Sequence, residues 1–221
     1  MRDRLKTVHA ILDTRVVAII RTGKEAPLLE MIAALVEGGF RAVEVTTTTP
    51  GALEAVAEAR RQVPDEVVIG CGTVLDAATA AAAALAGADF IVSPSLDASV
   101  VETAHHYCCT CMPGCLTPTE IVAAMSLGVD FVKLFPAAAL GPSYVKAVLA
   151  PLPSVRLVPT GGVEAETAAD YLAAGAAAVA VGGSICNDRI LREEGPEGVI
   201  ARATTLMERL SSLSKGAAHG V

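Results

Sequence analysis

Short β-branched runs recur along this 221-residue chain, each followed by a turn and then by an alanine-rich stretch with helical spacing. The runs occupy 16–20, 42–46, 67–71, 90–93, 110–114, 131–135, 156–159 and 179–182, and an amphipathic stretch carrying Leu5, Val8, Ile11 and Leu12 precedes the first. Strands that alternate with helices must lie parallel, because each helix carries the chain back across the sheet. Eight such units at this length predict an α/β fold, a closed (β/α)8 TIM barrel forming one domain over 1–221. An open doubly wound sheet is the alternative, but no G-x-G-x-x-G opens a helix after the first run.

Helix boundaries support the count. Thr49-Pro50 reads as an N-cap followed by proline at the first helical position, and Thr117-Pro118-Thr119-Glu120 adds a capping box to that proline. Asp76 and Asp97 can cap the helices that follow them, while Gly87, Gly128 and Gly175 stand where a left-handed stop is wanted. The tail over 211–221 is small and polar, which predicts fraying.

Composition narrows the function classes. Hydrophobic residues make up 52% of the chain, enough for one large core. A net charge of -7, a pI near 5.1 and no basic run longer than Arg60-Arg61 argue against nucleic acid, so a small-molecule ligand is expected. No membrane span or secretory segment is read. Arg2, Asp3 and Arg4 open the chain, 16–20 is too short for a signal core, and the apolar run 77–88 is an alanine-rich helix bounded by Asp76 and Asp89. The reading places the protein in the cytosol. Six cysteines include the cluster Cys108, Cys109, Cys111 and Cys115. Its C-x-x-C invites a metal, but a chelating pair needs a turn, this stretch has a strand pattern, and no second Cys or His pair completes four ligands. Buried thiols, no metal and no cofactor are the expectation. Cys71 and Cys115 are candidates for the pocket wall, without a basic neighbour in sequence to activate either.

One lysine interrupts the run Phe131-Val132-Lys133-Leu134-Phe135-Pro136. Alternation puts Phe131, Lys133 and Phe135 on one face, and desolvation there favours the neutral amine, the form that attacks a carbonyl. A lysine that snorkels to water or pairs with a carboxylate is the plainer alternative. Glu44 shares its side of the second run with Ala42 and Thr46, which sends a carboxylate into the barrel as a general acid and base or as an ion-pair partner of Lys133 or Arg21. Arg21 and Thr73 follow the first and third runs, at the carboxyl ends where barrel chemistry gathers. Thr160-Gly161-Gly162 and Gly182-Gly183-Ser184 close the last two runs, the usual place for a phosphate site built from backbone N–H groups.

With Val43-Glu44-Val45-Thr46, Gly70-Cys71-Gly72-Thr73-Val74-Leu75, Ser93-Pro94, Pro113-Gly114-Cys115, Val132-Lys133-Leu134-Phe135-Pro136 and Pro159-Thr160-Gly161-Gly162-Val163 in this order, the chain resembles the 2-keto-3-deoxy-6-phosphogluconate (KDPG) and 2-keto-4-hydroxyglutarate (KHG) aldolase family. The resemblance implies a metal-free class I aldolase, assembled as a homotrimer, that splits KDPG into pyruvate and glyceraldehyde 3-phosphate. It makes Lys133 the Schiff-base lysine and Glu44 the proton-transfer residue. It puts Thr73 and Arg21 at the pyruvyl carboxylate, Pro94 and Phe135 on the pocket wall, and Thr160, Gly161, Gly162, Gly183 and Ser184 at the phosphate. Thr48 stands where phosphogluconate-specific members carry an arginine; threonine can hydrogen-bond a carboxylate but lacks the charged bidentate clamp, which leaves Arg21 to supply the charge. Phosphogalactonate and hydroxyglutarate substrates remain as alternatives, and further off a phosphate-binding isomerase or epimerase, or a barrel that only binds a phosphorylated metabolite.

Overall fold

The structure, a computed structural model, describes residues 3–24 and 26–217. Its strands are β1 (Val16–Ile20), β2 (Ala42–Thr46), β3 (Val68–Gly72), β4 (Phe90–Val92), β5 (Thr110–Met112), β6 (Gly114–Cys115), β7 (Val132–Leu134), β8 (Leu157–Pro159) and β9 (Val179–Val181). All pairings are parallel, in the orders β5-β4-β3-β2-β1-β9 and β6-β7-β8. Pro113 separates β5 from β6 because proline has no N–H for the ladder. Its carbonyl still accepts from the Lys133 amide at 2.9 Å, so the two pieces act as one stave. A bridge between Thr160 and Ala180 joins β8 to β9 and closes a barrel of eight staves. Apart from that division, each strand begins and ends within one residue of its predicted run.

The helices are α1 (Arg4–Thr14), α2 (Leu28–Glu37), α3 (Ala52–Gln62), α4 (Ala77–Ala86), α5 (Ala98–His106), α6 (Pro118–Ser126), α7 (Gly141–Leu149), α8 (Ala168–Ala173) and α9 (Asp188–Ala217), the last broken at Gly195 and Pro196. None is long and apolar enough to cross a membrane among the described residues. Asp76, Asp97 and Thr117 cap as expected, the last in a full capping box, and Gly87, Gly128 and Gly175 hold positive φ. Thr49-Pro50 does not cap. Helix α3 starts at Ala52 behind Gly51, because the Thr49 hydroxyl is drawn instead toward Thr46 and the Thr22 amide. The stretch expected to fray carries α9 on to Ala217, and 218–221 lie outside the described residues.

Alternation sorts the strands into two apolar layers. Val16, Ala18, Val43, Val45, Ile69, Val132 and Leu134 pack against the helices, whereas Val17, Ala42, Val68, Phe90, Met112, Phe131 and Val158 fill the barrel. Among the inward positions, Gly70 and Gly72 on β3 carry no side chain. A Cβ on Gly70 would fall 2.2 Å from the Phe90 ring, and one on Gly72 would fall 1.7 Å from Glu44 Oε1. Helix α1 closes the floor with Val8 and Ile11, while Leu5, expected on its buried face, is exposed. Arg4 of the same helix forms a salt bridge with Asp130 at 2.9 Å, and Asp130 accepts the Cys111 amide. Ile11→Ala, which leaves a cavity under the barrel, is expected to cost about 2–5 kcal/mol in urea unfolding, with the far-UV spectrum of the folded state unchanged.

Candidate active site

The chain leaves every strand at the same end of the barrel, so the side chains at those ends converge. Lys133, central in β7 and opposite Gly114 and Val158, points inward and is 2% exposed. Glu44, central in β2, points inward at 1% exposed, and its carboxylate rests in the space that Gly72 leaves. Among the described residues Glu44 Oε1 has no hydrogen-bond partner. Burial holds the Glu44 carboxyl above its ordinary range against the opposing pull of Lys133 and Arg21. Burial likewise holds the Lys133 amine below the ordinary lysine range, with Glu44 opposing and Arg21 reinforcing the shift. Both groups are driven toward their neutral forms, which gives a nucleophilic amine beside a group able to exchange protons.

A cavity of about 180 Å3 opens above the amine. Arg21, Lys133, Phe135, Thr160, Gly161, Gly162 and Gly183 line it, as do Ile19, Glu164 and Cys186, which sequence reasoning did not select. Lys133 Nζ lies 5.0 Å from the Phe135 ring centroid, and that ring packs on Gly161, where a Cβ would fall 2.9 Å away. Gly161 and Gly162 hold φ of 86° and 74°, so the backbone itself forms this wall. The Thr160 hydroxyl is turned back to the Val158 carbonyl at 3.0 Å. A larger groove of about 980 Å3 lies between α2 and α3, but no lysine, cysteine or histidine among the described residues lines it.

Other predicted residues stand around the mouth rather than on this wall. Thr48 is exposed after β2, with its hydroxyl 3.0 Å from that of Thr46. Thr73 is held at φ 59°, a strained value for a β-branched residue, by the Thr47 hydroxyl on its carbonyl and the Thr47 amide on the Gly72 carbonyl. Pro94 brings its carbonyl against Gly114, where a Cβ would fall 2.2 Å away, beside the strand of Lys133. Ser184 is not on this wall: it borders a separate hollow with Arg202 and Arg209, and its Oγ is buried without a partner among the described residues. Cys71 and Cys115 depart from expectation, lying in the layer between barrel and helices because the glycines beside them take the inward positions. Burial pushes both thiols up to about 12, and Cys186 likewise, so none is a reactive thiolate.

The family model described as KDPG and KHG aldolase matches residues 8–202. A 2-dehydro-3-deoxy-phosphogluconate aldolase of Treponema pallidum is 38% identical over 166 residues, 75% of this chain and 79% of that protein. The 2-dehydro-3-deoxy-6-phosphogalactonate aldolase of Escherichia coli is 34% identical over 170 residues, 76% of this chain and 83% of its own. Among solved structures, a KDPG aldolase from Legionella pneumophila with pyruvate captured as a covalent carbinolamine intermediate superposes with a TM-score of 0.82 at 26% identity, covering 90% of this chain and 97% of that one.

The fit of Glu44 against Gly72 gives a stability test. Gly72→Ala overpacks that contact and is expected to lower the unfolding free energy by about 1–3 kcal/mol in urea. Adding Glu44→Ala removes the clash, so the double variant should be more stable than Gly72→Ala alone.

Proposed function

The chain belongs to the KDPG and KHG aldolase family, and from that premise we propose that this aldolase works through a Schiff base on Lys133 and cleaves 2-keto-3-deoxy-6-phosphogluconate reversibly to pyruvate and glyceraldehyde 3-phosphate. The observation that carries the reading is an amine 2% exposed at the base of an open cavity, with a carboxyl on the same inner face.

In this reading neutral Lys133 Nζ attacks the C2 carbonyl, and loss of water leaves a protonated imine that serves as an electron sink. Glu44, made a stronger base by burial, accepts the proton of the C4 hydroxyl in its carboxylate form. The C3–C4 bond breaks, its electron pair moves into the imine as an enamine, and glyceraldehyde 3-phosphate leaves. Glu44 returns the proton to C3, and hydrolysis frees pyruvate and the lysine. Arg21, with Thr48 and Thr73 at the mouth, holds the carboxylate, and Phe135 and Pro94 bound the carbon chain. Gly161, Gly162, Gly183 and the peptide of Ser184 hold the phosphate through backbone N–H groups, with Thr160 beneath them. That assignment asks nothing of the Ser184 hydroxyl. Assembly as a homotrimer and a place in the cytosol belong to the same proposal; exposed Leu75 and Leu85 supply apolar surface for subunit contact.

Borohydride reduction in the presence of pyruvate is expected to add a pyruvyl-derived mass to Lys133, and Lys133→Ala is expected to fold without trapping or cleavage. An unmodified lysine with continuing turnover would refute the covalent route. Pyruvate release measured with the phosphogluconate, phosphogalactonate and hydroxyglutarate substrates in parallel should favour the phosphogluconate compound; preference for another reassigns the substrate.

The pH dependence has a definite sign. The Lys133 pKa lies below the ordinary 10.5, so the trapping rate should rise with pH and level off before an exposed lysine would deprotonate. Glu44 opposes that lowering, and Glu44→Gln removes the opposition, so the rise should move to lower pH while cleavage slows. A profile that moved to higher pH would contradict the coupling.

A further inference from the structure

Three threonine hydroxyls and one amide connect the loops after β1 and β2 at the barrel mouth. The Thr22 amide donates to Thr49 Oγ at 3.1 Å, Thr49 Oγ lies 3.1 Å from Thr46 Oγ, and Thr46 Oγ lies 3.0 Å from Thr48 Oγ. Distance leaves the sense of the two hydroxyl contacts open, but burial orders them. Thr49 and Thr46 are buried at 2% and 0% exposure, whereas Thr48 is exposed. A buried hydroxyl proton without an acceptor is costly. Among the described residues Thr46 Oγ is the acceptor within reach of the Thr49 proton, and Thr48 Oγ is then the acceptor left for the Thr46 proton. Reversing the chain would strand the Thr49 proton in the interior. The bonds therefore run from the Thr22 amide through Thr49 and Thr46 to Thr48, whose own proton meets no acceptor among the described residues.

Two members of this chain adjoin site residues along the sequence. Thr46 follows Glu44 by two residues on the inner face of β2. Thr22 follows Arg21, which lines the cavity with Lys133, and the Thr22 hydroxyl also donates to the Lys24 carbonyl at 2.5 Å. The arginine is thus carried by a loop tied on one side to Thr49 and on the other to its own backbone. The same use of its hydroxyl is why Thr49 fails to cap α3.

We infer that Thr49 is a positioning residue for substrate binding: it fixes the Arg21 loop through the Thr22 amide and, through Thr46, commits Thr48 to donate a hydrogen bond to the carboxylate of the 2-keto acid. The inference rests on the Schiff-base reading of the site. A hydroxyl fixed as donor favours an anionic oxygen, which only accepts, and so recovers part of what a charged clamp supplies elsewhere.

The experiment is steady-state cleavage of KDPG, with reductive pyruvate trapping alongside, for Thr49→Val, Thr49→Ser, Thr48→Val and the Thr48→Val/Thr49→Val double variant. Each single valine variant is expected to raise KM by about tenfold, the scale of one hydrogen bond to a charged group, with a smaller change in kcat. Thr49→Ser, which keeps the hydroxyl, should restore KM to within about twofold. The double variant should raise KM by less than the product of the singles, because part of the Thr49 effect passes through Thr48. Independent multiplication of the two effects, failure of serine to restore KM, or a lowered melting temperature with KM unmoved overturns the relay. If Thr49→Val does not fold, Thr48→Val at its exposed site decides, and an unchanged KM there overturns the relay by itself. A wild-type chain that traps no pyruvate overturns the aldolase chemistry and the relay together. One that traps pyruvate while KM ignores Thr48→Val and Thr49→Val overturns the relay alone.

Discussion

An amine and a carboxyl group shut inside a barrel of apolar side chains set the terms for the rest of this molecule. Removed from water, Lys133 and Glu44 each disfavour their charged form, and each relieves the other when charged. Burial outweighs that mutual attraction and favours the neutral amine and the neutral carboxyl, a condition that suits the chemistry proposed for them.

The barrel accommodates this pair by omission as much as by contact. Gly72 is bare where Glu44 lies, and Gly70 is bare where the Phe90 ring lies. Gly114 lets the Pro94 backbone approach the strand next to Lys133, and Gly161 lets the Phe135 ring pack against the cavity wall. Space given up at one inward position is filled by a larger group from the adjacent strand, which keeps the interior dense and the reactive groups fixed. Below them, Phe131 and the α1 residues Val8 and Ile11 close the floor, so that access is from the loop end.

The loop end divides its labour between charge and backbone. Among the described residues, Arg21 is the one cationic side chain besides Lys133 on the cavity wall, whereas the glycines after β8 and β9 bring peptide groups. Threonines organise the opposite side: Thr47 holds the strained Thr73, and Thr46 and Thr49 bind the loop of Arg21 to that of Thr48. A run of four threonines, uninformative as composition, is thus put to distinct uses by the way the chain turns.

Much of this was legible before any coordinates. Period-two alternation sent Lys133, Glu44, Phe131 and Phe135 inward and their neighbours outward, and the strand and helix rhythm gave a parallel barrel, because both follow from local geometry. The resemblance to an aldolase family then rested on short stretches of sequence in order. Tertiary structure alone decided where side chains go once several loops compete for them. Thr49 reads locally as a helix cap, yet its hydroxyl is claimed by residues 27 and 3 positions away. Ser184 sits in a glycine-rich turn that reads as a phosphate loop, yet it borders a hollow beside Arg202 and Arg209 and buries its hydroxyl. Cys186, four residues past Gly182, reaches the cavity because one helical turn after β9 brings it round. A side chain's partner at long range depends on the closure of the whole barrel, and no local pattern of hydrophobic and polar positions records it.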